Sequence, residues 1–188
     1  MKLRMLGQVS LAALLLNGAA LAANKQGPAA PKTDAEIAVR VAHEIAMYPF
    51  YGIWDNVGVQ VVNGRVSLSG AVNQPFKKDE IARIVKEVPG VTGVDGQIKV
   101  LPLSNQDDRL RLQVARSIYS DPALSRYAGL AAPPIHIIVE NGHVTLAGVV
   151  ESQLQKIVAG MRASTVGMSF GPVVNNLVVA DPPAKKKA

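Results

Sequence analysis

Two stretches of the 188-residue chain decide its fold: NGRVSLSG at residues 63–70 and NGHVTLAG at residues 141–148. They match each other at an offset of 78 residues. Upstream, Ile37, Val41, Ile45 and Pro49 match Leu110, Val114, Ile118 and Pro122 at an offset of 73. Downstream, Val94, Ile98 and Val100 match Val173, Leu177 and Val179 at an offset of 79. Three matches in the same order indicate an internal duplication, and the changing offsets place insertions in the loops.

Each stretch predicts a β-hairpin. The residues before each turn alternate between apolar and other side chains, as a strand with one apolar face requires; they are Val57, Val59 and Val61, and Ile135, Ile137 and Val139. The turns Asn63-Gly64 and Asn141-Gly142 supply residues that tolerate the positive φ of a type I′ turn. The return strands continue the inward set through Val66 and Leu68, and through Val144 and Leu146. Gly70 and Gly148, which end the two stretches, complete the set of structural turn residues.

Helical periodicity flanks both hairpins. The matched upstream residues recur every fourth position, which lines one helix face, and Thr33 with Glu36 forms a capping box. A second helix is predicted after each hairpin, with apolar residues at i, i+3, i+4 and i+7: Ile81, Ile84, Val85 and Val88, then Leu154, Ile157, Val158 and Met161. The matched downstream residues predict one closing strand per repeat. The order α-β-β-α-β, twice, predicts an α+β protein of two tandem two-layer sandwich modules, each a three-stranded sheet packed on two helices.

The remaining segments define the domain organisation. Lys2 and Arg4 precede a short apolar run, and Ala20-Leu21-Ala22 fits signal peptidase, so residues 1–22 are predicted to be a signal peptide cleaved after Ala22. The alternative is an uncleaved anchor, although the run is shorter than the roughly 20 apolar residues of a membrane span. We expect a linker at residues 23–32, modules at 33–101 and 106–180, and a basic tail at 181–188. The protein is therefore expected in the periplasm, soluble or peripheral to a membrane.

Charge and composition narrow the range of possible functions. The net charge of +6 lies mostly at the two ends of the chain, since residues 33–101 carry −1 and residues 106–180 carry +1. A nucleic-acid-binding domain usually has a basic folded face, so we expect no nucleic-acid partner. The chain has no cysteine, its three histidines lack metal-ligand spacing, and no nucleophile or acid–base set recurs in both repeats. We therefore predict no catalytic, cofactor or metal site.

The repeated motifs resemble the BON domain, named for bacterial osmotically inducible protein Y and nodulation proteins. That family has a Val-x-Leu-x-Gly strand after an Asn-Gly-type turn, as at residues 66–70 and 144–148. Its closing pattern, Val-x-Asn-x-Leu-x-Val, is matched at residues 173–179, whereas Gly96 and Ile98 depart from it in the first repeat. The resemblance implies a non-enzymatic envelope protein that associates with phospholipid membranes and supports envelope integrity or osmotic stress tolerance.

Two groups of residues are candidate contacts with a membrane or a partner. Tyr51 and Trp54 belong to an aromatic cluster after the first helix, where the rings either meet headgroups or cap the module core. Arg109, Arg116 and Arg126, with Tyr127, form either a basic patch facing anionic phospholipid or an ordinary solvated surface. The alternative function is a periplasmic protein–protein interaction module that acts through a sheet edge or a helix face.

Overall fold

The computed structural model describes residues 33–130, 132–167 and 169–180. The predicted signal peptide, linker and basic tail lie outside these residues. The first module contains α1 (Asp34–Ala46), β1 (Asn56–Val62), β2 (Arg65–Val72), α2 (Pro75–Lys86), β3 (Gly93–Gly96) and β4 (Lys99–Val100). The second contains α3 (Asn105–Tyr119), a 3₁₀ turn (Ser125–Gly129), β5 (Ile135–Glu140), β6 (His143–Val150), α4 (Gln153–Ser164), β7 (Val174–Asn175) and β8 (Val178–Val179).

The two modules share one topology. In each, an antiparallel hairpin pairs the first two strands, and the second strand also pairs in parallel with the closing segment. The strand order is therefore β1-β2-β3 in one sheet and β5-β6-β7 in the other, with β4 and β8 continuing the third position. The predicted α-β-β-α-β order, repeated twice, is confirmed.

The closing strand of each module is interrupted, whereas the sequence predicts one continuous strand. The gap falls at residues 97–98, opposite Gly70 of β2, and recurs at residues 176–177, opposite Gly148 of β6. Both glycines have left-handed φ values, +102° and +113°, which bend the central strand. A Cβ at Gly148 would lie 1.9 Å from the carbonyl oxygen of Pro134, so only glycine fits there.

An aspartate in the first helical turn of each module supports the hairpin turn. Asp34 accepts hydrogen bonds from the backbone N–H groups of Asn63 and Gly64, at 2.7 and 2.8 Å. Asp107 accepts the equivalent bonds from Asn141 and Gly142, at 2.9 and 2.8 Å. The two aspartates are related by the same offset of 73 residues as their helices. Each carboxylate therefore fixes the angle at which the helix meets its hairpin.

Each module has its own apolar core between its helices and its sheet. The first core contains Ile37, Val41, Ile45, Tyr48, Val66, Leu68, Val72, Ile81, Val85, Val88 and Ile98. The second core contains Leu110, Val114, Ile118, Leu124, Tyr127, Ile135, Ile137, Val139, Val144, Leu146, Val150, Ala159, Ala163 and Leu177. The predicted inward faces of α1 and α3 are thus buried, as are Ile81, Val85 and Val88 of the α2 prediction, while Ile84 is only partly buried against the core.

The predicted inward face of α4 is wrong except at Val158, which is partly buried against the second core. Leu154, Ile157 and Met161 point outward, and Ala159 and Ala163 face the sheet instead. The correct alignment of α4 with α2 is the hairpin offset of 78, which pairs Ile81 with Ala159 and Val85 with Ala163. Periodicity alone selected the larger side chains, whereas the small residues allow α4 to lie close to the sheet.

Candidate functional site

The aromatic cluster after α1 divides between two locations. Tyr48 is buried in the first core, and Tyr51 packs against that core with its hydroxyl accepting the N–H of Val57 at 3.2 Å. Burial raises the pKa of Tyr51. Phe50 is exposed and makes edge-to-face contacts with Tyr48 and Phe76, each at 5.7 Å between ring centroids. The interpretation of this cluster as a cap on the first core therefore fits Tyr48 and Tyr51.

Trp54 lies at the junction of the modules. Its half-buried ring packs against the second core, although it belongs to the first module. Beside it, the N–H of Ile137 in edge strand β5 donates to the carbonyl oxygen of Ile53 at 2.6 Å. The loop after α1 therefore covers part of the edge of the second sheet, which no sequence pattern indicated.

His136 of β5 belongs to the same junction. Its Nδ1 lies 3.2 Å from the carbonyl oxygen of Gly52, and its ring lies 5.5 Å from that of Tyr51. Burial lowers the pKa of His136, although contacts with Gly52 and Asp55 partly oppose the shift. An uncharged imidazole therefore fits this junction better than an imidazolium.

The second candidate group lies around the helices of the second module. Arg109 and Arg116 are exposed on one face of α3. Arg126 is also exposed, but it pairs with Glu151 and lies 4.9 Å above the ring of Tyr127. Tyr127 is only 4% exposed, and its hydroxyl donates to Gln155 Oε1 at 2.9 Å. Tyr127 therefore holds Arg126 in place, and its own ring is not offered to a membrane.

In the second module the acidic side chains all have partners, whereas some of the basic side chains form no ion pair within the described ranges. Each of its acidic residues has a partner: Asp107 binds the hairpin turn, and four form ion pairs, namely Asp108 with Arg111, Asp121 with Arg162, Glu140 with Lys99, and Glu151 with Arg126. By contrast, Arg109, Arg116 and Lys156 form no ion pair with the described residues of the chain. This module therefore presents unneutralised positive charge on its helical side, although its net charge is only +1.

The helices carrying these cations lie side by side. The hydroxyl of Ser117 in α3 donates to the carbonyl oxygen of Arg162 in α4 at 2.8 Å, and Arg162 pairs with Asp121 just beyond α3. Their outward faces thus form one surface, which we call the helical face of the second module: Arg109, Leu112 and Arg116 from α3, with Leu154, Ile157 and Met161 from α4. It combines cations with exposed apolar side chains. The sequence prediction placed the three α4 residues on the inward face of the helix. Alignment of α4 with α2 at the offset of 78 identifies them as surface residues.

The described residues show neither a metal site nor a membrane span. In the ranges 33–130, 132–167 and 169–180, no three His, Cys, Asp or Glu side chains are grouped so that they could hold a metal ion. Within the same ranges, no helix combines the length and apolarity needed to cross a bilayer.

The fold defines a tandem-repeat α+β protein in which two modules of the same topology follow each other along the chain. The family model for the BON domain matches residues 33–102 and 106–181. The chain belongs to the BON domain family and contains two consecutive copies of the domain. BON domain proteins are associated with the cell envelope, and BON domains are not known as catalytic domains.

Comparison with solved structures finds the C-terminal domain of CdsD, a structural protein of the type III secretion system of Chlamydia trachomatis. It is 15% identical, with a TM-score of 0.30, over 79% of this chain and 66% of that chain. A second structure of CdsD is 16% identical, with a TM-score of 0.30, over 74% of this chain and 58% of that one. This chain thus spans less than two thirds of either. A comparison with curated proteins finds no match. The assignment to a family therefore rests on the BON match.

Proposed function

We propose that this chain is an exported, non-catalytic envelope protein of the periplasm that associates peripherally with anionic phospholipid membranes. In this proposal it supports envelope integrity or osmotic stress tolerance. One observation carries the proposal: the exposed Arg109 and Arg116 of the helical face have no ion pair in the described structure, while every acidic residue of the second module is engaged. An anionic headgroup is the partner that such a surface lacks.

Comparison of the two repeats supports this choice of surface. At the offset of 73, Arg109 and Arg116 correspond to Glu36 and His43 of α1. The first module therefore has an acidic side chain and a weakly basic one where the second has two permanent cations. Since a headgroup layer attracts cations and repels carboxylates, the second module is the better membrane-facing module.

Vesicle flotation of the purified protein tests the proposal. Each cation near an anionic leaflet contributes about 1 kcal/mol, so the double substitution R109Q/R116Q should weaken binding to phosphatidylglycerol vesicles roughly 30-fold. The exposed cation Lys86 of the first module supplies the matched control, K86Q, which should bind as the original protein does. Absence of flotation with any vesicle, or an unchanged affinity of R109Q/R116Q, would contradict the proposal.

A protein partner is the second candidate, and the edge of β1 favours it. In the second module the N–H of Ile137 on edge strand β5 is taken by Ile53. Its counterpart Val59 in β1 has no such partner in the described part of the chain. An extended peptide segment could add to this edge through backbone hydrogen bonds. Crosslinking in cells from position Gln60 that captures one dominant protein, without dependence on lipid, would support this alternative.

A further inference from the structure

The outward side of α4 is apolar. Leu154, Ile157 and Met161 are 64%, 48% and 62% exposed, and they occupy positions i, i+3 and i+7 of one helix face. The only charged residues of α4 are Lys156 and Arg162, both basic. A helix on the surface of a soluble domain normally turns its apolar side to the core and its polar side to water. In α4 the core side is instead formed by Ala159 and Ala163, which leaves three large apolar side chains in solvent.

The first repeat shows that the fold does not need apolar side chains at these positions. At the offset of 78, Leu154, Ile157 and Met161 correspond to Phe76, Asp79 and Arg83 of α2. Arg83 pairs there with Glu80 and Glu87 on the helix surface. Two of the three positions thus carry charge in one copy of the fold and large apolar groups in the other. The apolar residues of α4 are therefore not explained by packing within the module.

We infer that Leu154, Ile157 and Met161 form an insertion surface that enters the boundary between headgroups and acyl chains of an anionic bilayer. This inference rests on the proposed function and adds a second, apolar component to it. Charge complementarity selects the occupant: α4 carries no acidic residue, and the neighbouring α3 presents the unpaired Arg109 and Arg116 on the same helical face. An interfacial helix binds membranes through this combination of buried apolar area and attraction to anionic lipid.

The two components respond differently to salt. Salt screens the interaction of Arg109 and Arg116 with headgroups, because these side chains are exposed and the Debye length shrinks to a few ångströms near 1 M. Transfer of Leu154, Ile157 and Met161 out of water does not depend on ionic attraction. Binding to anionic vesicles is therefore expected to weaken with salt but to persist in part through α4.

Vesicles of phosphatidylglycerol and phosphatidylcholine in equal parts are the probe, at low salt and at about 0.5 M salt, where screening is strong. The variant L154Q/I157Q/M161Q replaces exposed residues with a good helix former, so the fold should be kept. The partition coefficient of this variant onto the vesicles should be about 100-fold lower than that of the original protein, which is a factor of about 5 for each side chain. Its binding at high salt should disappear. V39Q is the matched control, since Val39 is 72% exposed on α1 of the first module; it should bind as the original protein does.

A label at α4 reports insertion directly. The chain has no cysteine, so M161C provides a single attachment point for an environment-sensitive fluorophore, and V39C provides the control. A blue shift with vesicles, quenched by lipids that carry a nitroxide on the acyl chain, is expected for M161C alone.

The possible failures are distinguishable. If the original protein binds no vesicle, the proposed function fails and this inference fails with it. If the original protein binds, but L154Q/I157Q/M161Q binds equally well at both salt concentrations, the inference alone is overturned. A loss of self-association in that variant, measured by sedimentation without lipid while vesicle binding is unchanged, would also overturn it and would assign the face to a second copy of the chain.

Discussion

Replacing Asp55 with alanine removes the carboxylate that organises the buried polar cluster of the first module. Asp55 is fully buried and accepts three hydrogen bonds: from Gly52 N–H at 2.9 Å, Asn73 N–H at 2.9 Å and Lys77 Nζ at 2.7 Å. In D55A the ammonium of Lys77 stays buried with Asn73 Oδ1 as its remaining partner, at 2.6 Å. Removing one member of a buried ion pair costs about 3–5 kcal/mol, so we expect a loss of that size.

Native-state hydrogen exchange is the appropriate assay, because it reports each module separately. The free energy of opening measured on β2 should fall by about 3–5 kcal/mol in D55A, a large share of the stability of a small domain. E44A removes an ion pair on the surface of α1, between Glu44 and Arg40, and should cost less than about 1 kcal/mol. A loss below about 1 kcal/mol in D55A would contradict this expectation, because so small a loss is typical of an ion pair exposed to water.

Two further predictions concern the backbone and the junction. G148A should destabilise the second module by at least about 2 kcal/mol, because alanine disfavours the left-handed φ of +113° and its Cβ would meet the Pro134 carbonyl. Thermal unfolding measures this loss. The control is G129A, which should change the stability little because Gly129 lies in open space. Since burial holds the pKa of His136 below its ordinary 6.5, the unfolded chain takes up a proton first as the pH falls. The free energy of unfolding should therefore decrease from about pH 6.5 downward, and less so in H136Q; equal pH dependence in both proteins would contradict this.

The sequence predicts the fold because the duplicated motifs are local. Two-residue turns such as Asn63-Gly64, four-residue periodicity and strand alternation are each set by neighbours along the chain. The sequence also gives grounds to predict a shared role for Asp34 and Asp107, because they are related by the offset of their helices and each lies in a first helical turn. Repetition of a position in both copies is a signal that one repeat alone does not give.

The surface was harder to predict because it depends on contacts between distant residues. Whether Arg126 is free is decided by Glu151, and the location of Trp54 is decided by the second core. The prediction of the inward face of α4 was wrong because a periodicity analysis gives large apolar residues more weight than alanine. Close packing of a helix on a sheet, in contrast, favours alanine. This wrong prediction is informative, because the apolar residues of α4 that do not pack in the core are those we assign to the membrane.

Membrane binding through the second module is best tested by hydrogen exchange of the original protein with and without phosphatidylglycerol vesicles. Vesicles should slow exchange in α3 and α4, while α1 and α2 of the first module should keep the rates measured without lipid. Protection confined to α1 and α2, or vesicle binding that leaves α3 and α4 unchanged, would contradict it.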